Sequence, residues 1–308
     1  MKLKINFTDF WTGFDKNDNL FVHLLSKDFE VVVSEEPDVL FFSCYGFDYL
    51  KYKCHRVYFT GEDVQPDHRL CDFSISFDWN EHGGKNMRLP LFRFNGALET
   101  LTDSKYQQPL LSIPPKFCCT VVSNAGCKER NDFFDALSSY KTVDSGGRYR
   151  NNVGGPVESK EAFVKDYKFV LSFENVSSEG YTTEKIIDSF FKRNVPVYWG
   201  NKLVGKDFNT ARFVNVQDYP SFDAAIERII RIDQDDLLYQ QYITQPVFAG
   251  NVFPEHLQWK ILETNLVDGV KGFLNQTPVA ITNAVYALKD KLKRKVISKI
   301  TKRPIWHS

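Results

Sequence analysis

Residues 167–199 carry two short apolar runs, Phe169-Val-Leu-Ser-Phe173 and Val195-Pro-Val-Tyr-Trp199. Between them Ile186, Ile187, Phe190 and Phe191 recur at helical spacing. Apolar runs this short, bounded by turn residues, read as buried strands. The periodicity between them requires a helix, with Thr182 or Thr183 as N-cap and Glu184 in the first turn, where the helix dipole favours a carboxylate. Strand, helix, strand is a β-α-β crossover, and it puts the loop 174–181 at the carboxyl end of its first strand. Ligands of open α/β sheets bind at such loops, and a helix N-terminus offers free N–H groups to an anion. Lys185 adds a full positive charge beside those donors, so a phosphate-bearing ligand is the natural partner. The competing reading is a surface turn that Glu174, Glu184 and Lys185 merely keep solvated.

The rest of the chain is compatible with that unit. Its 308 residues, 43% of them apolar, suffice for two domains of ordinary size. Lys+Arg and Asp+Glu balance at 39 each, yet from Lys289 onward eight Lys/Arg face only Asp290, leaving 31 basic against 38 acidic residues before it. A nucleic-acid partner for an acidic body is excluded on that ground. The opening MKLKINFTDFW alternates like a strand and precedes no long apolar stretch, so no signal peptide is expected, nor any membrane span. Six cysteines without a C-x-x-C pair read as reduced core thiols, and six histidines show no ligand spacing, so no metal is expected. A cytoplasmic protein is the consistent reading.

Short buried strands at 3–7, 29–33, 39–43, 56–60 and 73–77, with a helix at 20–27, give a doubly wound first domain, 1–113. Residues 95–116, with Gln107-Gln108-Pro109 and Ile113-Pro114-Pro115, have the composition of a linker. A second α/β domain, 114–280, opens with a strand at 117–122 and a helix at 130–140, and closes with a strand at 212–216 and a helix at 222–232. The acids of Asp233-Gln-Asp-Asp236 read as solvated loop residues. At the end of the strand 56–60, Gly61 allows a sharp exit and leaves Glu62 facing the side where chemistry sits, as a general base would, or else as a plain turn carboxylate. Residues 281–308 form a basic tail, with Val285, Leu288, Leu292, Val296 and Ile300 on one helical stripe among lysines. Such helices lie on anionic membrane surfaces; a solvated docking helix is the alternative.

FENVSSEGYTTEKIIDSFFKRNVPVYWGN, from Phe173, closely resembles the nucleotide-sugar motif of the alpha-1,3-fucosyltransferases, the bacterial enzymes above all. RVYFTGEDVQPDHRLCDFSISFDW, with MRLPLFRF after it, resembles the segment of that family in which a Thr-Gly-Glu glutamate is the proposed base, here Glu62. Ser123-Asn124 followed by Arg130-Asn131 resembles the family's site for the diphosphate arginine, a role that suits a planar guanidinium fork. The glycine-rich Val143-Asp-Ser-Gly-Gly-Arg148 also aligns in style, and Trp11-Thr-Gly-Phe-Asp15 loosely resembles an acceptor-facing loop, with hydrophobic packing as the other reading of Trp11.

The resemblance implies the GT-B fold, two Rossmann-like domains facing a cleft. It implies inverting transfer of L-fucose from GDP-fucose to the 3-OH of N-acetylglucosamine or glucose in a galactosyl-N-acetylglucosamine type acceptor, with no metal in the chemistry and no cofactor besides the donor. Glu62 is then the base, and Glu184 lies by the fucose ring. Arg130, Lys185, Asn175, Tyr181, Ser123 and Glu174 make up the donor site, with Glu174 orienting the loop. His23 and Arg93 are candidates to line the acceptor side. The family often ends in a basic amphipathic tail, which implies peripheral attachment to an anionic inner-membrane surface. A transferase using another nucleotide sugar, or a non-catalytic glycan-binding module, would fit the same fold.

Overall fold

A computed structural model describes residues 1–301, 304 and 305 of the chain. Lys302 and Arg303 of the expected basic tail, with 306–308, lie outside the described residues. The chain forms two compact units, one made of residues 1–90 and 255–308, the other of residues 91–254.

The first unit begins with strands β1 (Lys2–Thr8), β2 (Glu30–Val33), β3 (Val39–Phe42), β4 (His55–Phe59), β5 (Phe73–Ser76) and β6 (Asn86–Arg88), with helix α1 (Leu20–Leu25) after β1. They form one sheet in the order β2-β1-β3-β4-β5-β6, and every neighbouring pair is parallel. All four residues of β3 and all five of β4 are buried, as expected of strands covered on both faces. The winding reverses between β1 and β3.

The second unit contains β7 (Lys116–Thr120), α2 (Lys128–Ser138), β8 (Val143–Ser145), α3 (Lys160–Val164), β9 (Tyr167–Phe173), α4 (Glu184–Lys192), β10 (Val195–Trp199), β11 (Val214–Asn215), α5 (Phe222–Gln234) and α6 (Asp236–Thr244). Its sheet order is β11-β10-β9-β7-β8, again all parallel. The reversal falls between β7 and β9. One face packs Phe169, Leu171 and Val197 against Phe133 and Leu137 of α2 and Ile229 and Ile232 of α5. α4 lies against β9 and β10, burying Ile186, Ile187 and Phe190 at the spacing the sequence gives them.

The chain then returns to the first unit as α7 (Trp259–Phe273), α8 (Val279–Thr282) and α9 (Ala284–Thr301). Leu262, Leu266, Val267, Val270 and Phe273 of α7 complete the core around Ile5, Phe7 and Phe41. The units therefore divide the chain differently from the expected 1–113, 114–280 and 281–308. The apolar face of α7 matches the first sheet rather than the second. The segment 95–116 is no free linker: Leu98 and Leu101 are fully buried, and Gln240 clamps Leu110, accepting from its N–H at 2.8 Å and donating to its carbonyl at 3.0 Å. The strand expected at 212–216 shrinks to two residues, because Arg212 closes a turn that Asn209 caps.

α9 docks through Ala287, Tyr286 and Arg294. The Tyr286 hydroxyl donates to Asp67 at 2.7 Å, and the Arg69 guanidinium sits 4.2 Å from the tyrosine ring centre. Arg294 pairs with Asp290 at 2.8 Å. The stripe Val285, Leu288, Leu292, Val296 and Ile300 faces outward and is exposed.

Candidate active site

In the second unit the site grows from the reversal between β7 and β9, where two loops diverge at the carboxyl ends of adjacent strands. β9 is followed at once by Glu174, whose side chain is wholly buried. Its carboxylate accepts from the Thr183 backbone N–H at 2.7 Å, the Thr183 hydroxyl at 2.8 Å and the Lys185 ammonium at 2.8 Å. The N-terminus of α4 is thus capped from outside the helix. Thr183 does occupy the N-cap position, but its hydroxyl makes no capping bond, because the stronger charged acceptor takes it.

Behind this carboxylate the packing is tight. A Cβ on Gly200, whose φ is +153°, would lie 2.6 Å from Glu174 Cγ, so the glycine of the motif makes room for the glutamate. Asn201 pins the loop: its side chain accepts from the Gly180 N–H at 2.7 Å and donates to the Thr182 hydroxyl at 3.0 Å. Its backbone N–H donates to the buried Tyr198 hydroxyl at 3.0 Å. The sequence carries Asn201 only as the last residue of the quoted motif, with no role attached to it.

Arg130 comes from the first turn of α2 and is buried. Its guanidinium donates to Asn175 Oδ1 at 3.2 Å and to the Asn124 carbonyl, while Nε has no partner among the described residues. Burial holds its pKa below the usual arginine value. Arg130, Asn175, Glu174 and Lys185 are therefore brought together. Asn175 is exposed, Tyr181 is buried within the loop, and Glu184 is the half-buried first residue of α4. Ser123 is exposed beside the glycine-rich loop and accepts weakly from the Arg148 N–H at 3.5 Å. Gly147 of that loop passes so close to the Val122 backbone that a Cβ would overlap its carbonyl, so the close approach is of strand exit to loop. Asp233 is not the solvated acid expected: it is buried and accepts from Lys141 at 2.5 Å and Tyr140 at 3.0 Å. Burial alone would raise its pKa; the bonds from Lys141 and Tyr140 and the nearby Lys168 hold it below the usual carboxylate value.

In the first unit Glu62 follows β4. Thr60 fixes the turn, its hydroxyl accepting the Glu62 N–H at 3.0 Å and donating to the Glu62 carbonyl at 3.0 Å. The Tyr45 hydroxyl donates to Glu62 Oε1 at 3.0 Å, and Oε2 makes no bond among the described residues. Burial, reinforced by the Glu62 charge, pushes the Tyr45 phenol well up, so it stays a donor. Tyr45 lies on the loop after β3, and only the adjacency of β3 and β4 puts it there. Trp11 packs its ring against Phe10 and Phe14 at 5.5 and 5.1 Å and stays half exposed. His23 pairs with Asp18 on the surface. Arg93, a candidate for the acceptor side, belongs instead to the second unit, where it is buried and paired with Glu99.

Two doubly wound parallel α/β units, the second with a buried arginine and a partly buried lysine at its reversal point, define the GT-B class of glycosyltransferases. Residues 5–95 match the family model for the Alpha-(1,3)-fucosyltransferase FucT N-terminal domain, and residues 113–245 that for the Glycosyltransferase family 10 (fucosyltransferase) C-terminal part. The chain is 34% identical over 270 residues to the Alpha-(1,3)-fucosyltransferase FucT of Helicobacter pylori, a match covering 74% of this chain and 56% of that one. The chain thus spans little more than half the length of that relative. A crystal structure of an alpha1,3-fucosyltransferase with GDP-fucose superposes with a TM-score of 0.74 at 29% identity, over 89% of this chain and 91% of that one. One with GDP gives 0.75 at 28% identity, over 91% and 92%. The chain belongs to the bacterial-type alpha-1,3-fucosyltransferase family.

Proposed function

We propose that the protein transfers L-fucose from GDP-fucose, with inversion, to the 3-OH of an N-acetylglucosamine or glucose unit in a galactosyl-N-acetylglucosamine type glycan. The observation that carries this reading is the cluster at the amino end of α4. Lys185 is held on Glu174 at 2.8 Å and Arg130 on Asn175 at 3.2 Å, two cations beside a helix N-terminus in a chain that superposes on a relative holding GDP-fucose. As the glycosidic bond breaks, charge grows on the departing diphosphate, and fixed cations and N–H dipoles lower that barrier. Arg130 and Lys185 fill that role, so a divalent ion is not required for it. Asn175, Tyr181 and Ser123 complete the donor site, and Glu184 lies by the sugar, where a carboxylate favours an oxocarbenium-like transition state. Glu174 serves as positioning residue: with its oxygens engaged by Thr183 and Lys185, it sets the ammonium in place rather than touching the donor. Single displacement needs a base on the acceptor side. Glu62 fits, with Oε1 held by Tyr45 and Oε2 open to an acceptor hydroxyl.

Peripheral membrane attachment is part of the same reading. No helix among the described residues is long and apolar enough to cross a membrane. α9 turns Leu288, Leu292 and Val296 outward among lysines, as a helix lying on an anionic inner-membrane surface does.

Incubation with GDP-fucose and galactosyl-N-acetylglucosamine, with the linkage and anomeric configuration of the product assigned by NMR, tests the chemistry. Calorimetry with GDP and UDP tests the donor: tighter UDP binding overturns the fucose assignment.

A further inference from the structure

The geometry points to a second glycan-binding subsite in the first unit, a groove between the β5–β6 edge of its sheet and α7, which takes the unreacting galactosyl-N-acetylglucosamine repeats of a longer acceptor. The inference rests on the acceptor class proposed above. The groove encloses about 620 Å³, within the range of about 300–1,000 Å³ of ligand sites. Phe73 and Phe273 form a buried apolar floor, and Trp79 a wall, its ring carrying the Arg88 guanidinium at 3.8 Å and lying 5.0 Å from the His256 ring.

Among the polar side chains of the lining, Asn86, Arg88 and Gln276 donate to backbone carbonyls, and the acids and the remaining groups divide further. Asp72 and Asp78 are committed, accepting from the Arg56 and Val279 N–H groups and pairing with His82. Glu81, Lys85, Asn265, Asp268 and Thr277 form no side-chain hydrogen bond or ion pair among the described residues, yet all line the groove. That free set decides the ligand class. A phosphate would meet two carboxylates for one ammonium, and an apolar ligand would strip all five of water without replacing it. A neutral chain rich in hydroxyls offers O–H donors to Glu81 and Asp268 and oxygen acceptors to Lys85 and Asn265.

Two glycines of α7 line the groove, and the packing explains only one. A Cβ on Gly269 would run into the Phe73 ring, whereas a Cβ on Gly272 would meet nothing within 4 Å. The bare backbone at Gly272 opens the groove. Its place in the sheet suits an acceptor chain. The loop 78–84 leaves β5 at the end where β4 leads to Glu62, so the groove starts on the side of the sheet that carries the proposed base and runs back along β5 to Asp72 and Lys85 at its other end.

Because Gly272 is open, Gly272→Phe fills the groove without disturbing the core. Calorimetry and transfer kinetics with the disaccharide and with a hexasaccharide of three galactosyl-N-acetylglucosamine repeats test the subsite. The wild type should show a KM for the hexasaccharide about tenfold below that for the disaccharide, equivalent to one or two added hydrogen bonds. Gly272→Phe should remove that preference, with the disaccharide as internal control. The exposed triple change Glu81→Ala, Asn265→Ala, Asp268→Ala should act alike, with the fold checked by circular dichroism. No hexasaccharide preference in the wild type, or one that survives both variants, overturns the subsite while leaving transfer to the disaccharide intact. Hexasaccharide binding lost on Gly272→Phe in a protein that transfers no fucose would uphold the subsite and overturn the activity instead.

Discussion

A carboxylate as deeply buried as that of Glu174 is tolerable only because three donors meet it, and the same contacts explain why the donor motif is built as it is. Removing it with Glu174→Ala leaves the Lys185 ammonium and the Thr183 N–H without their buried partner. Breaking a buried pair from one side costs about 3–5 kcal/mol. Urea unfolding should show a loss of that order, with weaker GDP binding in the remaining folded protein; a loss below about 1 kcal/mol would remove the positioning role. Glu62 separates cleanly from this cluster because it belongs to the other unit. Glu62→Gln should lower kcat by about 100-fold, the contribution of a general base, with GDP affinity unchanged in calorimetry. Tyr45→Phe should cost only a few-fold, since one hydrogen bond of roughly 1 kcal/mol is at stake. At this scale the sequence points to Lys185 and Glu62 from their places at a helix start and a strand exit, and to Arg130 by family pattern. It could not name Tyr45 or Asn201, because neither residue type nor spacing says which loops become neighbours.

Among the elements, the β9-α4-β10 crossover was legible because its two periodicities are strong and its turn residues unambiguous. The segment 95–116 misled: prolines and polar residues suggest a linker, but Leu98 and Leu101 bury, and a packed turn has the same composition as a loose one. The glycine-rich loop depends on backbone contact. Gly147→Ala drives a methyl into the Val122 carbonyl, and overpacking of this kind costs about 1–3 kcal/mol. A drop in Tm without change in the helical content of the folded state is expected, and an unshifted Tm would show that the loop moves aside freely. α9 offers the other element-scale test. Co-sedimentation with vesicles rich in anionic lipid should be lost on cutting the chain at Ala284 and should weaken with salt; sedimentation unaffected by the cut would sink the attachment.

For the molecule as a whole, the return of α7 matters most. Five of its apolar side chains enter the core of the first unit, each contributing about 1.5–3 kcal/mol, together on the order of the 5–15 kcal/mol that stabilises an entire domain. A fragment ending at residue 254 should therefore leave the first unit unfolded, whereas residues 91–254 alone should fold and bind GDP, as circular dichroism and calorimetry would report. Alkaline stability follows from the thiols. Burial pushes Cys44 and Cys54 from 9.0 to about 11, so the folded state prefers both protonated. Their contribution is complete below pH 9 and fades as the pH rises through 11. Tm should fall across that window, and fall less in Cys44→Ala, Cys54→Ala; parallel curves would assign the alkaline loss to other groups.

Local sequence determined the buried strands, the helix between β9 and β10 and the family to which both belong, because hydrophobic period and turn chemistry act over a few residues. Tertiary structure alone decided that Glu174 caps α4 through Thr183 and Lys185, that Tyr45 reaches Glu62, and that α7 crosses back to the first sheet. Those contacts join residues from 9 to more than 200 positions apart, and over such distances it is the burial of complementary surfaces, rather than any local preference, that selects the partner.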